Sequence, residues 1–320
     1  MCSNQKLRLS LVALALFVAA ASLAKDEATP SDPAQLVARA VQNEIDANAP
    51  GGTHFMFRNE RKTAHTNQVK LIVETRESTA GMLIAVDGHA LSPEQRQQEE
   101  ARLQNYVRNP DQLDRKRKQE KEDSDRTMRI VKALPSAFIY EKDGTQRGTA
   151  SVGSRQDELV RLKFRPNPNY DPPSRVEQVL TGMHGHVLVD PKQARLAEID
   201  GTLEKEVGFG WGILGHLDRG GRFLVQQANV GNHQWEITRM ELSFTGKILF
   251  FKKLNIRSTD TFSDFRPVAL DLTFAQGVAL LEKEAARIQG QTSQTNPTQE
   301  HKQPTEGTKE EAEQRACCDK

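Results

Sequence analysis

The glycines of the stretch 208–215 are the first residues in this chain whose spacing suggests chemistry. Gly210, Gly212 and Gly215 match a dinucleotide-binding loop, in which backbone N–H groups approach a pyrophosphate where a strand passes into a helix. Here Glu204, Lys205 and Glu206 precede the loop, and Asp218, Gly220 and Gly221 continue turn chemistry after it. Without a following helix there is no N-terminal dipole to hold a phosphate. The stretch therefore reads as a glycine-rich loop that lets Trp211 fold onto a sheet. His184 and His186 share one face of a strand, since side chains alternate with a period of two. With His216 or His233 they would approach the ligand count of a zinc site, but no third ligand stands at a diagnostic spacing, and they read as ordinary sheet histidines. No nucleophile elbow, zinc-protease helix, phosphate-binding loop or kinase signature occurs. These residues imply no enzyme, no cofactor and no metal.

The elements that would position any site begin after a leader. Residues 1–24 have the form of a secretory signal: Lys6 and Arg8, an apolar run from Leu9 to Ala21, then Ser22 and Ala24 as the small residues of a cleavage site. The sequence therefore predicts a periplasmic or secreted protein that is not integral to the membrane once the signal is cleaved. The leader takes two of the 44 basic residues, so 42 face 43 acidic ones, a formal charge of −1. That balance gives no electrostatic case for nucleic acid. Cys2 leaves with the leader, and only Cys317 and Cys318 remain, so the folded part has no disulfide to staple it. From 290 to 320 the composition turns to Gln, Thr, Glu, Lys and Pro, which predicts a disordered polar tail. The remainder, 25–289, reads as a single β-rich domain.

Within it, Asp32 caps a helix over Pro33–Ala47 with an apolar stripe of Leu36, Val37, Ala40, Val41 and Ile45. Strands follow at 54–59, with Phe55 and Phe57 on one face, at 68–77 and at 79–87, where Asp87-Gly88 marks a turn. Ser92, Pro93 and Gln95 form a capping-box start. The helical insertion 92–134 breaks at Asn109-Pro110 and ends before Pro135. Its dense mixture of charge signs predicts a solvated helix, with an arm for an envelope protein partner as the alternative. Strands resume at 137–141 and 159–164, and a proline-rich connection runs over 165–173. Then 176–181, 185–189, 195–203, 222–230, 235–244 and 248–257 follow as a meander, with a turn at Thr245-Gly246-Lys247. A helix over 272–288 closes the domain. Apolar residues on both faces of 82–84, 187–189 and 248–251 predict a sheet covered twice, or curled around a cavity.

The order of elements, the stretch Gly182–Pro191, the Val189-Asp190-Pro191 turn leading into Arg195–Ile199, and Phe262–Pro267 together resemble the periplasmic lipoprotein-sorting carriers, the LolA/LolB-like fold. The likeness lies within residues 182–267, about a quarter of the chain. It implies a mainly β (α+β) fold: a large curved antiparallel sheet, an open half-barrel, with an N-terminal helix, inserted charged helices and a C-terminal helix. It also implies a non-enzymatic binder or carrier of a lipid, a lipoprotein acyl chain or another hydrophobic ligand. The inserted helices are longer and more charged than an apolar lid. An envelope interaction or stress-sensing module is the alternative function, and a metal-dependent hydrolase the weakest. Trp211, Phe223, Trp235 and Phe250 are the candidate ligand-lining residues.

Overall fold

A computed structural model describes residues 32–49, 51–209, 215–248 and 252–295. The expected leader and most of the expected tail lie outside these residues, as do Trp211 and Phe250. Helix α1 (Pro33–Ala47) starts where Asp32 accepts the Ala34 N–H at 2.9 Å. Four strands follow: β1 (His54–Thr63), β2 (Asn67–Val73), β3 (Ala80–Val86) and the short β4 (His89–Ala90). Helices α2 (Pro93–Arg108) and α3 (Pro110–Ala137) lead to β5 (Phe138–Arg147) and β6 (Glu158–Pro166). A short helix, α4 (Arg175–Gln178), and a 3-10 turn (Val179–Gly182) precede β7 (Met183–Asp190) and β8 (Arg195–Leu203). The chain ends through β9 (Val207–Phe209), β10 (Gly215–Leu217), β11 (Arg222–Gly231), β12 (Gln234–Ile248), β13 (Lys252–Val268) and α5 (Phe274–Thr295).

All thirteen strands join one antiparallel sheet in the order β4-β3-β2-β1-β13-β12-β11-β8-β7-β6-β5, with β10 set against β12 and β9 against β10. The chain starts in the middle, walks to one edge, crosses by α2 and α3 to the other, and returns until β13 meets β1. This crossing proves that the sheet is curled. Glu120 of α3 binds Ser78 and the Thr79 N–H beside β3, and α3 ends at Ala137 against β5. The intervening helix is about 26 Å long at ~1.5 Å per residue. Nine strand spacings separate β3 from β5, which in a flat sheet is about 43 Å at ~4.8 Å each. The chord is shorter than the arc, so the sheet bends around α3 into an open half-barrel.

Two apolar layers flank it. On the concave side α1 and the end of α3 bury Val37, Ala40, Val41 and Leu134 against Leu162, Val187, Val189, Leu196 and Leu203. On the other side α2 and α5 bury Leu103, Phe274, Val278 and Leu281 against Met56, Leu71, Val73 and Met82. Register confirms that these are opposite faces of β1 and β2. Met56 stands opposite Val73, whereas Phe57 and Ile72, one residue along, point the other way. The double-sided run 187–189 is explained in the same manner: Val187 and Val189 face α1, and Leu188 faces a third cluster with Val152, Leu159, Ala197 and Trp235.

The charged insertion serves the sheet edge. Glu99 accepts the Leu83 N–H at 2.7 Å, and Arg102 donates to the Gly81 carbonyl at 2.7 Å. These side chains take the place of a neighbouring strand on β3, whose unpaired backbone would otherwise invite another chain. Elsewhere α3 carries the i,i+3 and i,i+4 pairs that its sequence predicts, such as Lys121 with Asp125.

Four local expectations are corrected. Residues 176–181, expected as a strand, lie in a short helix and a 3-10 turn, because the Ser174 hydroxyl accepts the Val176 N–H at 3.1 Å and starts a turn. Helix α3 passes through Pro135. Its last carbonyls are collected by the Tyr140 hydroxyl on Leu134, the Asn167 amide on Ser136 and the Asn167 N–H on Ala137. Thr245-Gly246-Lys247 is no turn. β12 runs straight through it, and Gly246 is there because a Cβ would lie 2.1 Å from the His216 carbonyl oxygen of β10. Finally, α5 continues past Gly290 to Thr295, so the helical part outlasts the change in composition.

Candidate functional site

The strand that opens the sheet and the strand that closes it meet irregularly. Between the pairs Met56–Arg266 and Arg58–Ser263, one residue of β1, Phe57, opposes two of β13, Asp264 and Phe265. Asp264 adopts φ +59, a left-handed conformation that Asp enters more readily than most side chains. Such a bulge bends the strand and re-aims its side chains. Here it lays Phe57 against Phe265, with ring centroids 5.3 Å apart and planes at 30°. Phe262 and Phe55 complete the group edge-on, each 6.0 Å from a member of that pair.

Beside this group, between α5 and the sheet, is an open cleft of about 490 Å³. Phe57, Phe265, Leu71 of β2 and Ile288 of α5 contribute to its lining, although the Phe57 ring projects from the other face of the sheet and Leu71 is itself buried. Its volume lies in the range of small-molecule sites. Arg58, Arg266 and Arg287 stand around it, with Asp264 and Glu284. Glu284 is 8 % exposed and accepts from Arg287 at 3.0 and 2.7 Å and from Arg266 at 2.7 Å. The Arg287 hydrogen bonds, with help from Arg266, hold its carboxyl down at about 2. Arg58 is different. It is half-buried and makes no ion pair or side-chain hydrogen bond among the described residues. The carboxylate two residues on, Glu60, is engaged by Lys62 and Asn67, both at 3.0 Å. The cleft has no nucleophile paired with a base. Its lining is mostly charged, with three arginines and two carboxylates.

The residues singled out in the sequence are not gathered here. Phe223 is half-buried against the α1 layer, together with Phe244. Trp235 is 6 % exposed in the cluster with Leu188 and Ala197, and its ring N–H donates to Gln193 at 3.0 Å. The two belong to separate clusters. The glycine loop has strands on both sides, because β9 and β10 pair with each other across residues 210–214. No helix opens at Gly215, and the dinucleotide geometry is absent there. The histidines also part company. His186 pairs with Glu198 at 2.9 Å in a polar ladder on the outer face that continues through Gln226, and His184 lies 3.8 Å from Glu204. His216 stands with Asp218 at 3.3 Å and Glu206 at 3.9 Å, in a largely solvated group.

Sequence reasoning missed the cleft because it is assembled from β1, β2, β13 and α5, which are distant in the chain. The available signals were Phe55 and Phe57 on one face of a strand, and Phe262 and Phe265 in a short aromatic repeat. No family model, curated protein or solved structure matches this chain. Among the described residues, no helix is long and apolar enough to cross a membrane.

Proposed function

We propose that this protein is a non-enzymatic binding or carrier protein for a hydrophobic ligand, a lipid or a lipoprotein acyl chain, acting in the periplasm or outside the cell. The observation that carries the proposal is the aromatic group Phe57, Phe262 and Phe265, left half-buried where β1 meets β13 on the sheet face that α5 does not cover. At the centre of the two helix layers Val37, Val187, Val278 and Leu281 are fully buried. Leaving three rings half covered forgoes part of a burial worth about 1.5–3 kcal/mol for each fully covered side chain. A ligand that covers them restores it. The charged helices contribute by guarding the β3 edge, which keeps a half-barrel of this size from pairing with its neighbours.

Native mass spectrometry of the full chain, purified without detergent, tests the proposal. It predicts a bound acyl-bearing mass, or, for ligand-free protein, a rise in fluorescence of an added hydrophobic probe. A chain that is ligand-free and also inert to such a probe contradicts it.

A further inference from the structure

The hairpin β9–β10 carries a cluster that shares no residue with the aromatic group on β1 and β13. We infer that Glu206, His216 and Asp218 form a binding site for one zinc ion. One donor atom from each lies within 4.8 Å of the other two. The His216 Nε2 atom is the centre, with Asp218 Oδ1 at 3.3 Å and Glu206 Oε2 at 3.9 Å. Strand register produces this convergence. His216 and Asp218 are two residues apart in an extended segment, so they project from one face. Leu217 pairs with Val207, which brings the next residues outward, Asp218 and Glu206, across from each other on that face. Gly208 stands opposite His216, so β9 lays no side chain over the imidazole. On its other side β10 is held by β12, from Gly215–Ile248 to Leu217–Gly246.

The charge of the cluster asks for a cation. With a neutral imidazole the two carboxylates leave it at −2, the charge that one zinc ion offsets. Lys205 and Arg219 flank it in sequence, and Lys247 stands opposite His216 on β12. None of them pairs with it: among the described residues, Glu206 and Asp218 form ion pairs with His216 alone. Carboxylates elsewhere on the sheet are matched. Asp200 holds Arg222 by two hydrogen bonds, and Glu198 holds His186 and Gln226 on separate oxygens. Zinc bonds imidazole nitrogen and carboxylate oxygen at about 2.0–2.2 Å, which sets its donors about 3.0–3.5 Å apart. His216 and Asp218 already have that spacing. The Glu206 side chain is 63 % exposed and free to close the remainder. An imidazole ligand favours zinc over calcium and magnesium, which take oxygen donors. Three protein ligands leave a fourth position for water.

The test is titration calorimetry with zinc chloride on the full chain with its three cysteines changed to serine, because the adjacent thiols of Cys317 and Cys318 would take zinc themselves. One zinc per chain is expected, with a rise in melting temperature, since a ligand of the folded state stabilises it. His216→Gln should abolish both effects. Glu206→Gln and Asp218→Asn should each weaken binding by at least the ~tenfold that loss of a supporting residue costs. His184→Gln should bind as the parent does, because that imidazole has its own carboxylate, Glu204, at 3.8 Å. Glu206 is exposed, so its variant folds and decides the matter even if His216→Gln does not fold. No zinc uptake by the parent, or uptake undiminished in any folded variant of the three ligands, overturns the inference. Calcium binding of equal strength also overturns it, because the carboxylates would then act without the imidazole.

Discussion

The protein docks a helix on its sheet twice, with the same pair of residue types and opposite outcomes. At α1, Glu44 reaches across to Arg195 in a two-bond pair of 2.8 and 2.9 Å and also accepts the Leu196 N–H at 3.1 Å. Both side chains are covered, 6 % and 13 % exposed. The Arg195 guanidinium lies 5.6 Å from the centre of the Trp235 ring, and Asn43 donates to the carbonyls of Gln193 and Ala194. Both carboxylate oxygens of Glu44 are engaged, and the core beneath the clamp is closed. At α5, Glu284 is buried but its two arginines are about half exposed, and a third, Arg58, makes no ion pair among the described residues and acts only at longer range on Glu60. The carboxylate there frames an opening. One helix–sheet seam is closed by its ion pair; at the other the ion pairs stay at the rim, and the bulge beside it stacks Phe57 on Phe265 on the opposite face of the sheet.

The comparison can be broken first at the closed seam. Glu44→Ala leaves Arg195 covered and unpaired, so we expect a loss of about 3–5 kcal/mol. Urea unfolding should show a lower midpoint with an unchanged slope. A smaller effect is expected where Glu236 stands between the two halves. Burial, reinforced by the charge of Glu74, pushes its carboxyl up to about 7. The folded state thus holds this proton more tightly than the unfolded chain, whose carboxyl titrates near 4.5. Stability is retained below the unfolded value and lost as pH rises toward about 7. Glu236→Gln should therefore flatten the profile between pH 5 and 8 and stabilise at the upper end by on the order of 2 kcal/mol.

The open seam and the aromatics behind it should respond weakly in stability, and the aromatics strongly in binding. Phe265→Ala removes a half-buried ring from the stacked pair, a cost of about 1 kcal/mol, while probe binding falls. Glu284→Gln should be smallest, under about 1 kcal/mol, because its arginine partners are solvated. Its signature is in acid. The wild-type carboxyl is held near 2, below its ordinary 4.5, so its contribution is complete above 4.5 and disappears as pH falls toward 2. The variant should lack that part of the acid slope in denaturation curves taken from pH 5 down to 2.5.

Much of the closed half can be read locally. The bounds of α1, its Asp32 cap, the Ser92 capping box and the limits of β8 agree with the sequence pattern, because each follows from neighbours within a turn or from strict alternation. Misreadings occur where a distant contact overrides the local signal. Gly246 looks like a turn residue and is a passage for β10. Pro135 looks like a helix stop and is tolerated because Tyr140 and Asn167 satisfy the exposed carbonyls. The candidate site belongs wholly to this second kind. Phe57 and Phe265 meet only through pairing of the first long strand with the last.

The central claim is that the hydrophobic site lies at the aromatics where β1 meets β13 and not at those of the closed seam. Binding of a hydrophobic fluorescent probe to the wild type, Phe57→Ala, Phe265→Ala and Phe223→Ala compares the two directly. The account predicts binding by the wild type, roughly tenfold weaker binding by the first two variants on loss of aromatic contact area, and wild-type affinity in Phe223→Ala. Loss of binding in Phe223→Ala alone, with Phe57→Ala and Phe265→Ala unaffected, would contradict it.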